Sequence, residues 1–167
     1  AGANIPFFLN KKISYYGIEG SKIITKKVKK NYKKIQKNLI CGDFKEDIFL
    51  NHKFDIILDR ASITHNPREG ISKILSIVEK KLKKDGLFIG VDWYSKSCSD
   101  YKRNKKNDYI YFNKGKFKNL GGVFFSNKKD ITRFFKNFSI IYLSEKKTVY
   151  YNLKKKTYSS WSIVAKK

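Results

Sequence analysis

Three acidic residues close short apolar runs: Glu19 after residues 13–18, Asp43 after 38–41 and Asp59 after 54–58. If those runs are strands of a parallel sheet, the three carboxylates share one rim, the rim on which ligands of such sheets bind. A carboxylate at the end of the second strand can accept hydrogen bonds from ribose hydroxyls. A single acid in that position serves equally as an N-cap or turn residue; three in register favour a nucleoside-containing ligand. A short way beyond Asp59 stands His65, in Asp59-Arg60-Ala61-Ser62-Ile63-Thr64-His65. Its imidazole is the best candidate for a general base toward a nucleophile that must lose a proton. The alternative is a loop histidine just ahead of a helix that starts at Asn66-Pro67. Asp59 and Arg60 either orient a substrate or pair with each other. Trp93 and Tyr94, at the end of a later apolar run, either wall an acceptor pocket or cap the core.

The elements that must position these residues follow from periodicity. Residues 4–9 open a helix, with Pro6 in its first turn, where the missing N–H costs nothing. Residues 13–18 read as a strand. A lysine-rich helix follows from Ser21, its N-cap, to Tyr32, with Ile23, Ile24, Val28, Tyr32 and Ile35 at helical spacing. Strands are expected over 38–41 and 54–58, then a helix over 67–84 with Ile71, Ile74, Leu75, Val78 and Leu82 on one face. Asp85-Gly86 turns into a strand over 87–93. Residues 95–125 are polar, carry no convincing period and read as an insertion or lid, to which Tyr101, Tyr109 and Tyr111 could contribute. A helix over 128–136 and strands over 138–143 and 158–165 complete the chain. Alternating strands and helices predict an α/β fold: a Rossmann-like, open, mostly parallel sheet, with an antiparallel hairpin at its C-terminal edge.

Composition bounds the function. The chain has 167 residues, 41% of them hydrophobic and 16% aromatic, which suits one packed domain and not a disordered chain. Two cysteines, Cys41 and Cys98, indicate no disulfide framework and favour a reducing, cytoplasmic compartment. No apolar run approaches the ~20 residues of a membrane span. The two cysteines and two histidines lie at unrelated spacings, so no metal site is expected. The net charge of +24 raises the question of a polyanionic partner. Only Arg60, Arg68, Arg103 and Arg133 carry the guanidinium fork that phosphate and base recognition favours. Solvated lysine faces are the simpler reading, and nucleic acid stays a possible partner.

Taken in order, the motifs resemble those of class I S-adenosylmethionine-dependent methyltransferases over essentially the whole chain. Ala1-Gly2-Ala3-Asn4 resembles the end of that family's G-x-G-x-G loop, with Gly2 its last glycine. Tyr16-Gly17-Ile18-Glu19-Gly20-Ser21 resembles the second motif, which implies that Glu19 binds the ribose, with Gly20 and Ser21 beside it. Cys41-Gly42-Asp43-Phe44 resembles the third, implying that Asp43 accepts from the adenine amino group and Phe44 packs near the ring. Phe54-Asp55-Ile56-Ile57-Leu58-Asp59-Arg60-Ala61-Ser62 resembles the fourth, whose strand end faces the transferring methyl and brings Asp59 to the cofactor. Leu82-Lys83-Lys84-Asp85-Gly86-Leu87-Phe88-Ile89-Gly90 resembles the turn into the fifth strand. Against that pattern the first strand and most of the glycine loop are missing. Because the chain also contains no methionine, residues 1–167 are expected to be an N-terminally truncated piece of a single methyltransferase domain.

The resemblance implies S-adenosylmethionine as cofactor and methyl transfer as activity, with His65, Asp59 and Arg60 as catalytic candidates. Exocyclic amino methylation of bases usually shows an Asn/Asp-Pro-Pro-aromatic run where this chain has Asp59-Arg60-Ala61-Ser62. Neither cysteine follows a proline, as cysteine-based cytosine methylation requires. A small-molecule acceptor is therefore the leading expectation. The alternatives are an RNA or other polyanion methyltransferase, and a noncatalytic module that binds nucleic acid or a partner through its basic faces.

Overall fold

The computed structural model describes residues 2–46, 51–102, 107–115, 117–118, 120–152 and 155–167. Ala1 and residues 103–106, 116 and 119 of the 95–125 stretch lie outside them. Residues 1–50 and 51–167 form two compact units.

In the first unit, α1 (Ile5–Asn10) leads to β1 (Gly17–Glu19), α2 (Lys22–Asn31), a 3-10 helix over Lys33–Asn38 and β2 (Leu39–Cys41). β1 and β2 pair in parallel, Glu19 opposite Cys41. The strand expected over 13–18 is thus shorter, because β2 offers a ladder of only three residues. Ser21 caps α2 as expected, its Oγ accepting from the Ile24 N–H at 3.3 Å. The buried face of α2 differs from the expected one. Ile23 is 82% exposed, and the helix packs Thr25 and Val28 inward. Thr25 fits there because its hydroxyl donates to the Ser21 carbonyl at 2.9 Å, so no polar group is stranded. Val28 joins Ile5, Ile35 and Leu39 in the unit's core.

In the second unit, the chain runs through β3 (Phe54–Arg60), a 3-10 turn over Ile63–His65, α3 (Arg68–Lys81) and β4 (Leu82–Tyr94). It continues through α4 (Ser99–Lys102), β5 (Tyr109–Tyr111), β6 (Gly122–Phe124), α5 (Lys128–Phe134), β7 (Ser139–Tyr150) and β8 (Lys156–Lys166). The sheet order is β3-β4-β8-β7, with β3 parallel to β4 and β8 antiparallel to both its neighbours. One parallel pair in each unit, and in the second an antiparallel C-terminal edge hairpin, match a Rossmann-like α/β fold. α3 buries Ile71, Ile74, Leu75 and Val78 as its periodicity predicts, but it stops at Lys81. Leu82 is buried as the first residue of β4, paired with Phe54.

The 95–125 stretch has more internal order than its composition suggests. β5 and β6 pair antiparallel, and Cys98, Phe117, Val123 and Phe125 form a core with Tyr94. Its elements are only three or four residues long, too short to write a period into the sequence.

Candidate functional site

Gly2 and Glu19 line one pocket in the first unit, together with Gly17, Ile18, Thr25 and Val28. Gly2 has φ +71°, a left-handed conformation that glycine adopts without strain. A Cβ there would press on Ile5 Cδ1 at 3.1 Å, so the close backbone approach depends on the missing side chain. Glu19 stands at the carboxyl end of β1. Its Oε1 accepts from the Ser21 N–H at 3.0 Å, and Oε2 has no partner among the described residues. Its own carbonyl accepts from the Gly42 N–H at 3.2 Å, stitching the ends of β1 and β2 together. Gly20 is under no steric demand, since a Cβ there would meet nothing within 4 Å. Asp43 is exposed: Oδ1 accepts from the Lys45 N–H at 2.9 Å and Oδ2 pairs with Lys45 Nζ at 3.1 Å. Phe44 beside it is half-buried.

The strand-end residues of the second unit divide by burial. Asp59 is buried, and its carboxylate faces inward. Oδ1 accepts from the Ser62 and Ile63 N–H groups at 3.1 and 3.2 Å, and Oδ2 from Trp93 Nε1 at 2.7 Å. It does not pair with Arg60, whose Nε donates to Asp92 Oδ2 at 3.0 Å on the exposed side. The alternation of side chains along β3 is the reason: neighbours in a strand point to opposite faces. Ala61 and Asp92 both have left-handed backbones, φ 58° and 60°, at the adjoining ends of β3 and β4. Such strain gathers at functional sites.

Trp93, only 1% exposed, belongs to the core, where its ring packs against Phe88 and Phe135. Tyr94 meets the His65 ring edge-on at 5.8 Å. His65 is half-buried, with Nδ1 3.0 Å from the Gly122 carbonyl. A carbonyl only accepts, so Nδ1 carries the hydrogen, and in the neutral ring Nε2 keeps the basic lone pair.

Sequence reasoning missed a charge cluster that ties the 95–125 stretch to α3 and α5. Arg68 reaches Asp108 at 3.0 Å and Asp130 at 2.8 Å, and Lys96 reaches the same two acids at 2.7 and 3.0 Å. Burial acts to raise the Asp130 carboxyl, but Arg68, the Asn127 N–H and Lys96 together hold it below its ordinary value. Only the Asn127–Asp130 capping box was open to detection in the sequence, since the other partners are far apart along the chain.

Burial drives the Asp59 carboxyl the other way, up to about 6, because the hydrogen bonds from Trp93, Ile63 and Ser62 offset only part of its desolvation. In the unfolded chain the carboxyl titrates near 3.8, so folding takes up a proton as pH falls through about 6. Asp59 therefore adds stability on the acid side and withdraws it above about 6, by roughly 2 kcal/mol between about pH 7 and pH 4.5. Urea unfolding of the wild type and Asp59→Asn at those two pH values checks this. The pH response of the two proteins should differ by that amount, and equal responses would refute it.

The sequence matches no family model and no curated protein. Solved structures match it over nearly its full length. An S-adenosylmethionine-dependent methyltransferase from Methanosarcina mazei superposes with a TM-score of 0.76 at 14% identity, covering 99% of this chain and 87% of that one. One from Clostridium acetobutylicum gives 0.60 at 16% identity, covering 96% and 79%. The N-methyltransferase NodS of Bradyrhizobium japonicum, in complex with S-adenosyl-L-homocysteine, gives 0.60 at 9%, covering 89% and 64%. At such identities the likeness is one of fold. The chain has the class I S-adenosylmethionine-dependent methyltransferase fold.

Proposed function

We propose that this chain binds S-adenosylmethionine and transfers its methyl group to a small-molecule acceptor. The observation that carries the reading is Glu19. It ends β1 with one carboxylate oxygen unengaged among the described residues, in a pocket it shares with the left-handed Gly2. That combination fits a nucleoside: the free oxygen accepts from ribose hydroxyls, and the bare Gly2 backbone allows close approach. Gly20 and Ser21 complete the turn around Glu19, while Asp43 and Phe44 are the candidates for the adenine edge and ring. Asp43 would have to exchange its exposed Lys45 partner for the amino group.

When bound, the cofactor supplies a methyl on a sulfonium, and its displacement asks the protein mainly for alignment and exclusion of water. His65 Nε2 is the proposed acceptor of the nucleophile's proton, with Tyr94 beside it as the wall of the acceptor site. Asp59 acts from behind, holding the turn that leads into His65, and Arg60 with Asp92 lines the same strand ends. Isothermal titration with S-adenosylhomocysteine tests the proposal. Micromolar binding supports it, and no heat of binding from the folded chain refutes it.

A second reading draws on one feature. The exposed side of α2 carries Lys22, Lys26, Lys27 and Lys30, a surface suited to a polyanion such as RNA, with or without catalysis. Binding to a single-stranded RNA followed from about 50 to 200 mM salt separates the two. Contacts to six or more phosphates would weaken it by ~10³-fold, whereas undetectable RNA binding at the lower salt leaves the small-molecule acceptor.

A further inference from the structure

We propose that the β5–β6 hairpin is a positioning device for His65, with Gly122 and Tyr109 fixing the tautomer and orientation that leave Nε2 as the basic nitrogen. The proposal rests on His65 acting as the base.

Two contacts grip the residue from the same hairpin. The Gly122 carbonyl accepts from Nδ1–H at 3.0 Å, and the Tyr109 hydroxyl donates to the His65 carbonyl at 3.2 Å. The two residues stand on neighbouring strands, Gly122 opposite Tyr111 and Tyr109 opposite Phe124. Gly122 permits this because a Cβ there would run into the Tyr109 ring; the glycine is the space the tyrosine occupies. Burial, and then the neighbouring Tyr111, push the Tyr109 hydroxyl up to about 12, so it stays protonated and keeps donating. Behind His65, its own N–H donates to the Ser62 carbonyl at 3.2 Å and Thr64 Oγ1 donates to the Ala61 carbonyl at 2.7 Å. The Arg68, Lys96, Asp108 and Asp130 cluster anchors the segment entering β5, since Asp108 immediately precedes Tyr109.

Long-range ¹H–¹⁵N correlation spectra of the full chain, recorded with the imidazole neutral, read the tautomer directly. The wild type should show His65 in the Nδ1–H form by roughly ten to one, the ratio one good hydrogen bond sustains. Gly122→Ala should bring that ratio to near parity, and Tyr109→Phe should lower it by roughly threefold while keeping the ring in place. A wild-type His65 that is mainly Nε2–H, or a ratio unchanged in both variants, overturns the proposal. If Gly122→Ala does not fold, the wild-type and Tyr109→Phe spectra decide. Binding of S-adenosylhomocysteine does not depend on the tautomer. A chain with the Nδ1–H form that binds none refutes the methyltransferase reading and supports the hairpin's hold on His65.

Discussion

Glu19→Ala is expected to weaken S-adenosylhomocysteine binding by at least ~100-fold, enough to remove a micromolar signal from a calorimetric titration. Hydrogen bonds to a charged acceptor contribute about 1.5–3 kcal/mol each, and a carboxylate facing a ribose diol makes two. The contribution to folding is smaller, since Glu19 gives the protein itself one partly exposed bond, from the Ser21 N–H. Thermal unfolding should therefore move little while affinity collapses. Glu19→Gln keeps the acceptor for Ser21 but loses the charge, and should fall between. Unchanged affinity in both variants would return Glu19 to the role of a turn residue.

Trp93→Ala should cost about 3–5 kcal/mol of stability, the usual range for removing a large buried aromatic. Two losses combine. The ring leaves a cavity between Phe88 and Phe135, and Asp59 Oδ2 loses the donor at 2.7 Å that offsets part of its burial. Trp93→Phe separates them, restoring most of the ring contact but not the N–H. It should cost less at about pH 4.5 than at about pH 7, because a protonated Asp59 tolerates the missing donor better than an ionised one. Urea unfolding at both pH values measures the two parts. A loss below ~1 kcal/mol for Trp93→Ala would mean that the ring is not part of the core.

The helices and strands were legible where burial is one-sided or where a cap marks an end. α3 shows its apolar face in the sequence, and Ser21 announces α2. Helical spacing placed Val28 inward but missed Thr25 beside it and misplaced Ile23, because a threonine that satisfies its own hydroxyl packs as well as an isoleucine. The 95–125 stretch hid its order because its strands are short and its core is assembled from residues scattered along the segment.

By itself the sequence determined the order of elements outside the 95–125 stretch, the acids at strand ends and the histidine beyond one of them. It could not grade those acids. Glu19 and Asp59 present the same pattern, a carboxylate closing an apolar run. Only the packing above Asp59, with Trp93 arriving from 34 residues away, turns one into a buried anchor while the other keeps an oxygen unengaged among the described residues. Likewise the partner of Arg60 lies 32 residues off in β4, not next door, and the atom that sets the His65 tautomer belongs to Gly122, 57 residues on. Local pattern fixes which groups reach a rim, because strand direction and alternation are properties of the backbone. Tertiary structure decides their charge, their partners and their protons, because these depend on burial and on neighbours brought together only by folding.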